Sequence, residues 1–230
     1  MQKIRVKTLH QEVAERIREM IRRGDMVSGQ KVDEKRLCES LGVSRTPVRE
    51  SLRILHSEGL IDLIPHKGAY ISTPKIEEIT DMFEVMGMLE GMCARLATER
   101  MSARDLKKIR SLHKELERHY ANQDRERYLE DNHILHVLIQ ELSGNKALQD
   151  VLNGLRQKIL LYRHRQLYQK NRFDQSIREH REILAAFESG DARLAEISLK
   201  RHLEKQCEAL VDYYAAERTD NKKEDDVLAA

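Results

Sequence analysis

The sequence has no tryptophan, only three cysteines, and no apolar run approaching the ~20 residues that a membrane-spanning helix requires. The missing run excludes a helical membrane protein. Cys38, Cys93 and Cys207 are odd in number and far apart, which excludes a disulfide framework or a thiolate metal cluster. Reduced thiols in a reducing compartment fit that pattern. The opening stretch MQKIRVKTLH lacks the apolar centre of a secretory signal, so a cytoplasmic protein is expected. Net charge is also scarce, at +2 from 41 basic and 39 acidic residues. What is present is 40% hydrophobic and 35% charged over 230 residues, enough for one large or two small packed cores.

The charge balance hides an asymmetry. Residues 1–75 carry 15 Lys and Arg against 10 Asp and Glu, whereas the remainder carries 26 against 29. A small basic module joined to a mildly acidic one is expected when only the first meets a polyanion.

Within residues 1–75, Leu9, Val13, Ile17, Met20 and Ile21 recur at helical spacing up to Gly24. Asp33 is placed to cap a short helix, DEKRLCESL, that Gly42 ends. Ser44 or Thr46 then caps a third, whose first turn tolerates Pro47 because that N–H has no intrahelical acceptor. After Gly59, LIDLIPHKGAYIS reads as a hairpin around a Pro- and Gly-containing turn. The pattern predicts a winged helix-turn-helix. Arg45 and Arg49, four residues apart, share one face at the start of the third helix. That end of a helix meets base edges in a major groove, and guanidinium forks suit guanine or phosphate. Ser44 and Thr46 add phosphate-binding hydroxyls.

Residues 34–60 resemble the DNA-binding domain of the GntR family of bacterial transcription regulators, in the run LGVSRTPVRE and the following LxxLxxEGL. The resemblance implies DNA contacts from Arg45 and Arg49. It also implies one from Lys35, where many members carry an arginine; lysine keeps the charge and loses the bidentate fork. The wing stretch PHKGAY is similar too, which offers His66, Lys67 and Gly68 to the minor groove or backbone.

From Ile76 the periodicity is helical throughout, predicting an all-α bundle of six helices near 76–101, 103–122, 126–143, 146–169, 175–189 and 192–217. Residues 218–230 are charged, lack an apolar periodicity and are expected to be disordered. The final LAA, similar to the end of a bacterial degradation tag, is read as accidental composition. The expected domains are therefore 1–75 and 76–217.

Three segments of the bundle carry histidines: NHILH at 132–136, REHRE around His180 and KRHLE around His202. Asn132 and His136 lie one turn apart, and a bundle could bring both to a common interior point with His180 and His202. Chance placement of ten histidines explains the spacing as well, and His133 points elsewhere on its helix.

The stretches NHILHVLIQELSGN, EHREILAAFESGDA and HL at 202–203 resemble the effector-binding FCD domain of the FadR subfamily. The resemblance implies a divalent metal, zinc first with nickel and manganese as alternatives, at Asn132, His136, His180 and His202. Asn132 departs from the usual Asp, and Met86 stands where many members have an arginine that meets an effector carboxylate. Arg163 and Arg165 are candidate cations for an acidic effector.

A homodimeric, ligand-responsive repressor of metabolic genes is the expected function, acting on double-stranded DNA at a short inverted repeat. The effector is expected to be a small organic acid. The alternatives are a metal-dependent hydrolase, a purely structural metal site, or a helical scaffold in which the winged module is idle. The hydrolase lacks any carboxylate constellation legible beside the histidines, and no catalytic residue is assigned.

Overall fold

The computed structural model describes residues 8–73, 75–163, 167, 169 and 171–228. The chain divides into two compact units, Met1–Pro74 and Lys75–Ala230.

In the first unit, α1 (Leu9–Arg23), α2 (Glu34–Leu41) and α3 (Arg45–Ser57) precede a two-stranded antiparallel sheet of β1 (Ile61–Ile64) and β2 (Gly68–Ile71). Local chemistry sets the ends. Asp33 accepts a hydrogen bond from the Arg36 N–H at the start of α2, and Gly24 and Gly42 take the left-handed conformation that ends α1 and α2. Ser44 occupies the cap position of α3 without a side-chain capping bond, so its hydroxyl is not consumed there. Val13, Ile17, Ile21, Val48, Leu52 and Leu55 are buried between α1 and α3. Truncating a fully enclosed residue such as Leu55 to Ala would cost about 2–5 kcal/mol. The hairpin closes that core, with Ile61 paired to Ile71 and both buried.

The second unit is helical among its described residues: α4 (Ile76–Arg100), α5 (Ala103–Ala121), α6 (Arg125–Leu142), α7 (Lys146–Arg163), α8 (Arg172–Ser189) and α9 (Ala192–Leu228). Ser102 and Asp124 cap α5 and α6. α4 packs on α9, α6 and α7, while α8 packs on α9 and α5. The α4–α9 contact is close because α4 offers glycine there: a Cβ on Gly91 would lie 2.9 Å from the Glu196 carbonyl oxygen, and one on Gly87 3.7 Å from Leu203. That approach seats Glu196, Lys200 and Leu203 of α9 against the glycine face of α4.

The six helices match the expected pattern. α7 is described to Arg163, and most of its expected extension to 169 lies outside the described residues. There are two corrections: α8 starts at Arg172, and α9 continues to Leu228 instead of stopping near 217. The continuation follows from local propensity. YYAAERTDNKKEDDVL contains no Gly or Pro to break a helix already nucleated by packed turns, and an apolar stripe is not required to propagate it. No helix among the described residues is long and apolar enough to cross a membrane.

Candidate metal centre and nucleic-acid interface

On the first unit the anticipated DNA-facing residues are all exposed: Lys35 on α2, Ser44, Arg45, Thr46 and Arg49 at the start of α3, and His66, Lys67 and Gly68 at the wing tip. The tip turns through left-handed backbone at His66 (φ 62°) and Gly68 (φ 106°). Arg49 donates from Nε to Glu34 at 2.9 Å, a bond that raises its pKa and ties the start of α2 to α3. This bond leaves the two Nη groups as donors. Arg53, a further turn along α3, is exposed as well and extends the arginine row. The sequence reading passed over Arg53, although its i+4 spacing from Arg49 was the available signal.

In the second unit, Asn132 and His136 of α6, His180 of α8 and His202 of α9 are all buried, with 3% exposure or less. The imidazoles of His136 and His202 stack at 5.4 Å between centroids, and His180 lies 4.5 Å from His202 and 5.8 Å from His136. One nitrogen from each of the three rings falls within 4.8 Å of the others. Both ring nitrogens of His180 and the Asn132 Oδ1 are buried without a hydrogen-bond partner. Burial, and then the neighbouring His202 and His136, holds His180 well below the ordinary imidazole range, so it is a neutral, lone-pair-bearing base at neutral pH.

Three buried imidazoles and an orphaned amide oxygen match the donor set of a divalent ion such as zinc, and a bound ion would satisfy atoms that are otherwise costly to bury. The residues fit the group.

The chemistry around these donors was not foreseen. Glu90 of α4, 1% exposed, lies 2.5 Å from His136 Nδ1, and its other oxygen accepts two bonds from the buried Arg156 of α7. Glu179 of α8 lies 2.6 Å from His202 Nδ1 and accepts a paired fork from the buried Arg172, both bonds at 2.9 Å. Each carboxylate fixes a ring through Nδ1 and so turns Nε2 inward, as outer carboxylates do at metal sites. His202 Nε2 is met at 2.5 Å by the amide nitrogen of Gln206, one turn further along α9. The expectation that no carboxylates accompany the histidines is thereby corrected. Glu90 and Glu179 lie on other helices or at non-repeating separations from their partners, and spacing within one segment could not reveal them. Burial raises the Glu179 pKa against the lowering effect of Arg172, while each arginine neutralises its carboxylate.

Met86 is fully buried one turn before Glu90. The Arg163 side chain and the whole of Arg165 lie outside the described residues. His133 is exposed on α6, with Nδ1 3.3 Å from Arg156. Glu179 and Arg172 also line a groove of about 460 Å³ between α8 and α9, with Arg178, Arg201 and Lys205. The cysteines are free thiols, and burial pushes Cys93 up to about 11, consistent with an inert packing role.

A winged DNA-binding unit joined to a helical unit with a buried imidazole cluster defines a two-part bacterial transcription regulator. The profile of the gntR family of bacterial regulatory proteins matches residues 9–71, and that of the FCD domain matches residues 81–205. The chain belongs to the GntR family, in its FCD-containing branch, and is a transcription regulator rather than an enzyme. It is 28% identical over 216 residues to the HTH-type transcriptional regulator LutR of Bacillus subtilis, covering 85% of this chain and 98% of LutR. It is 25% identical over 196 residues to the uncharacterised regulator YdhC of the same organism, covering 84% and 87%. The structure of McbR/YncC from Escherichia coli superposes with a TM-score of 0.75 at 22% identity, covering 91% of this chain and all of the other, a likeness of fold.

Proposed function

We propose that the protein represses metabolic genes by binding a short inverted repeat as a homodimer, and that an organic-acid effector bound at a divalent ion, zinc by preference, releases or alters that complex. Arg45 and Arg49 read bases or flanking phosphates. Ser44, Thr46 and Lys35 hold the backbone, and His66, Lys67 and Gly68 reach the minor groove side. Val85 and Met88, 48% and 56% exposed, stand on α4 beside the half-buried Met82 and Leu89, and this apolar face supplies the dimer contact.

The observation that carries the metal and effector reading is the pair of buried orphans, Asn132 Oδ1 and the His180 ring, beside two histidines held by carboxylates. His136, His180 and His202 would hold the ion through neutral imidazoles, and Asn132 would offer a neutral carbonyl oxygen. The bound ion would supply Lewis acidity toward an anionic ligand. Because Arg156 and Arg172 match Glu90 and Glu179 in charge, the positive charge of the ion stays uncompensated and draws a carboxylate. The apolar Met86 offers no rival cation.

A thermal-shift screen of small organic acids against zinc-loaded and metal-stripped protein tests the reading, followed by calorimetry of any hit. An acid that binds only the loaded form is expected. Equal affinity for both forms would return the histidines to a structural role.

A further inference from the structure

Away from the central histidines, α5 and α6 bring together a second set of metal-binding side chains, in which Glu115 and His119 lie one turn apart on α5 and Asp131 faces them from α6. One ligand atom of each falls within 4.8 Å of the others. His119 is 4% exposed, and its Nε2 lies 3.0 Å from Asp131 Oδ2. Glu115 and Asp131 are only partly buried, so a group placed between them remains in reach of water.

From this arrangement we propose a second divalent-cation site, held by His119 Nε2 and the carboxylates of Asp131 and Glu115, with water filling the remaining positions. A first-row ion bound at ordinary metal–nitrogen and metal–oxygen lengths sets tetrahedral donors about 3.4 Å apart. The His119–Asp131 pair stands at 3.0 Å, a few tenths of an ångström inside that spacing, so it parts slightly to admit an ion, and Glu115, the longest and most exposed of the three, closes the remaining gap by changing rotamer. Glu115 is held by Arg118, whose Nη2 meets it at 2.6 Å. Arg118 is exposed and Glu115 only partly buried, so the contact is easily exchanged. On binding, His119 offers Nε2 as a lone pair, any proton there moving to Nδ1 or to solvent water, and the ion replaces the Nε2–Asp131 hydrogen bond.

One imidazole and two carboxylates suit zinc, cobalt or manganese and neutralise a divalent charge, unlike the neutral donors of the central cluster. The site clamps the end of α5 to the start of α6, across the turn at Asn122–Asp124. Asp131 immediately precedes Asn132, so an ion here steadies the helix that carries two of the central donors.

The test is a calorimetric zinc titration of the metal-stripped full chain, beside His119→Gln, Asp131→Asn and His180→Ala, with circular dichroism verifying that each is folded. Two equivalents are expected in the wild type. His119→Gln and Asp131→Asn each lose the weaker one, and His180→Ala loses the tighter one while keeping the weaker. A wild-type chain whose full stoichiometry survives both His119→Gln and Asp131→Asn overturns the proposal. A single equivalent lost in His119→Gln and kept in His180→Ala sustains it and removes the central site instead.

Discussion

The two units place their chemistry in opposite settings. On the first, Arg45, Arg49 and Arg53 are exposed and lie within nine consecutive residues of one helix. In the second, Asn132, His136, His180 and His202 are almost entirely enclosed and come from three helices spanning 71 residues. The difference follows the partner proposed for each. A phosphate backbone is large, outside the protein and rich in charge, so exposed cations on a short element suffice. A small ion or anion must be stripped of water and surrounded, which requires donors from several directions and a low-dielectric wall.

This contrast also decides how each unit yields to disruption. Glu90 sits between His136 and Arg156 in the bundle interior, so Glu90→Ala leaves a buried guanidinium unpaired. It should destabilise the second unit by about 3–5 kcal/mol in denaturant unfolding. A loss below 1 kcal/mol would mean that Arg156 finds water or Gln140 instead. On the exposed unit, Arg45→Ala with Arg49→Ala should cost DNA affinity on the order of 3 kcal/mol, in a gel-shift titration on the protein's own promoter, with unfolding unchanged. Wild-type affinity in that double variant would displace the recognition surface from α3.

A smaller effect separates the units by pH. Burial holds His180 and His113 below the ordinary imidazole range in the folded state, so near pH 6.5 the unfolded chain binds more protons than the folded one. Stability of the metal-free second unit is therefore full above the unfolded imidazole pKa and falls as pH drops below it, by at most about 1.4 kcal/mol per pH unit for each proton. His180→Gln should lower that slope in denaturant titrations between pH 7 and 5. A slope identical in the variant would assign the effect elsewhere.

What could be read beforehand follows the same division. The wing, the α2–α3 turn and the arginine pair rest on local rules: caps at Asp33 and Ser44, glycines at 24 and 42, and one-turn spacing. The six bundle helices were legible for the same reason. The carboxylate–histidine–arginine chains were not. Glu90 meets His136 across 46 residues and Arg156 across 66, contacts that only the packing of α4 on α6 and α7 creates. The histidines were found because Asn132 and His136 share a segment and because the chain resembles the FCD domain. Of their supporting shell, Glu179 lies in the same quoted stretch as His180, but its bond to His202 on α9 has no local mark, and Glu90 has none at all. The end of α9 was missed for the converse reason, since absent apolar periodicity argues against packing and not against helix.

On the proposed function, DNA binding belongs to the exposed unit and its control to the buried ion. The most direct measurement is a fluorescence-anisotropy titration of zinc-loaded and metal-stripped protein on a labelled duplex from its own promoter, each with and without the acid selected by thermal shift. Equal DNA affinity is expected for the two forms without acid, with a shift of tenfold or more on adding acid to the loaded form alone, about 1.4 kcal/mol. The same shift in stripped protein would contradict it.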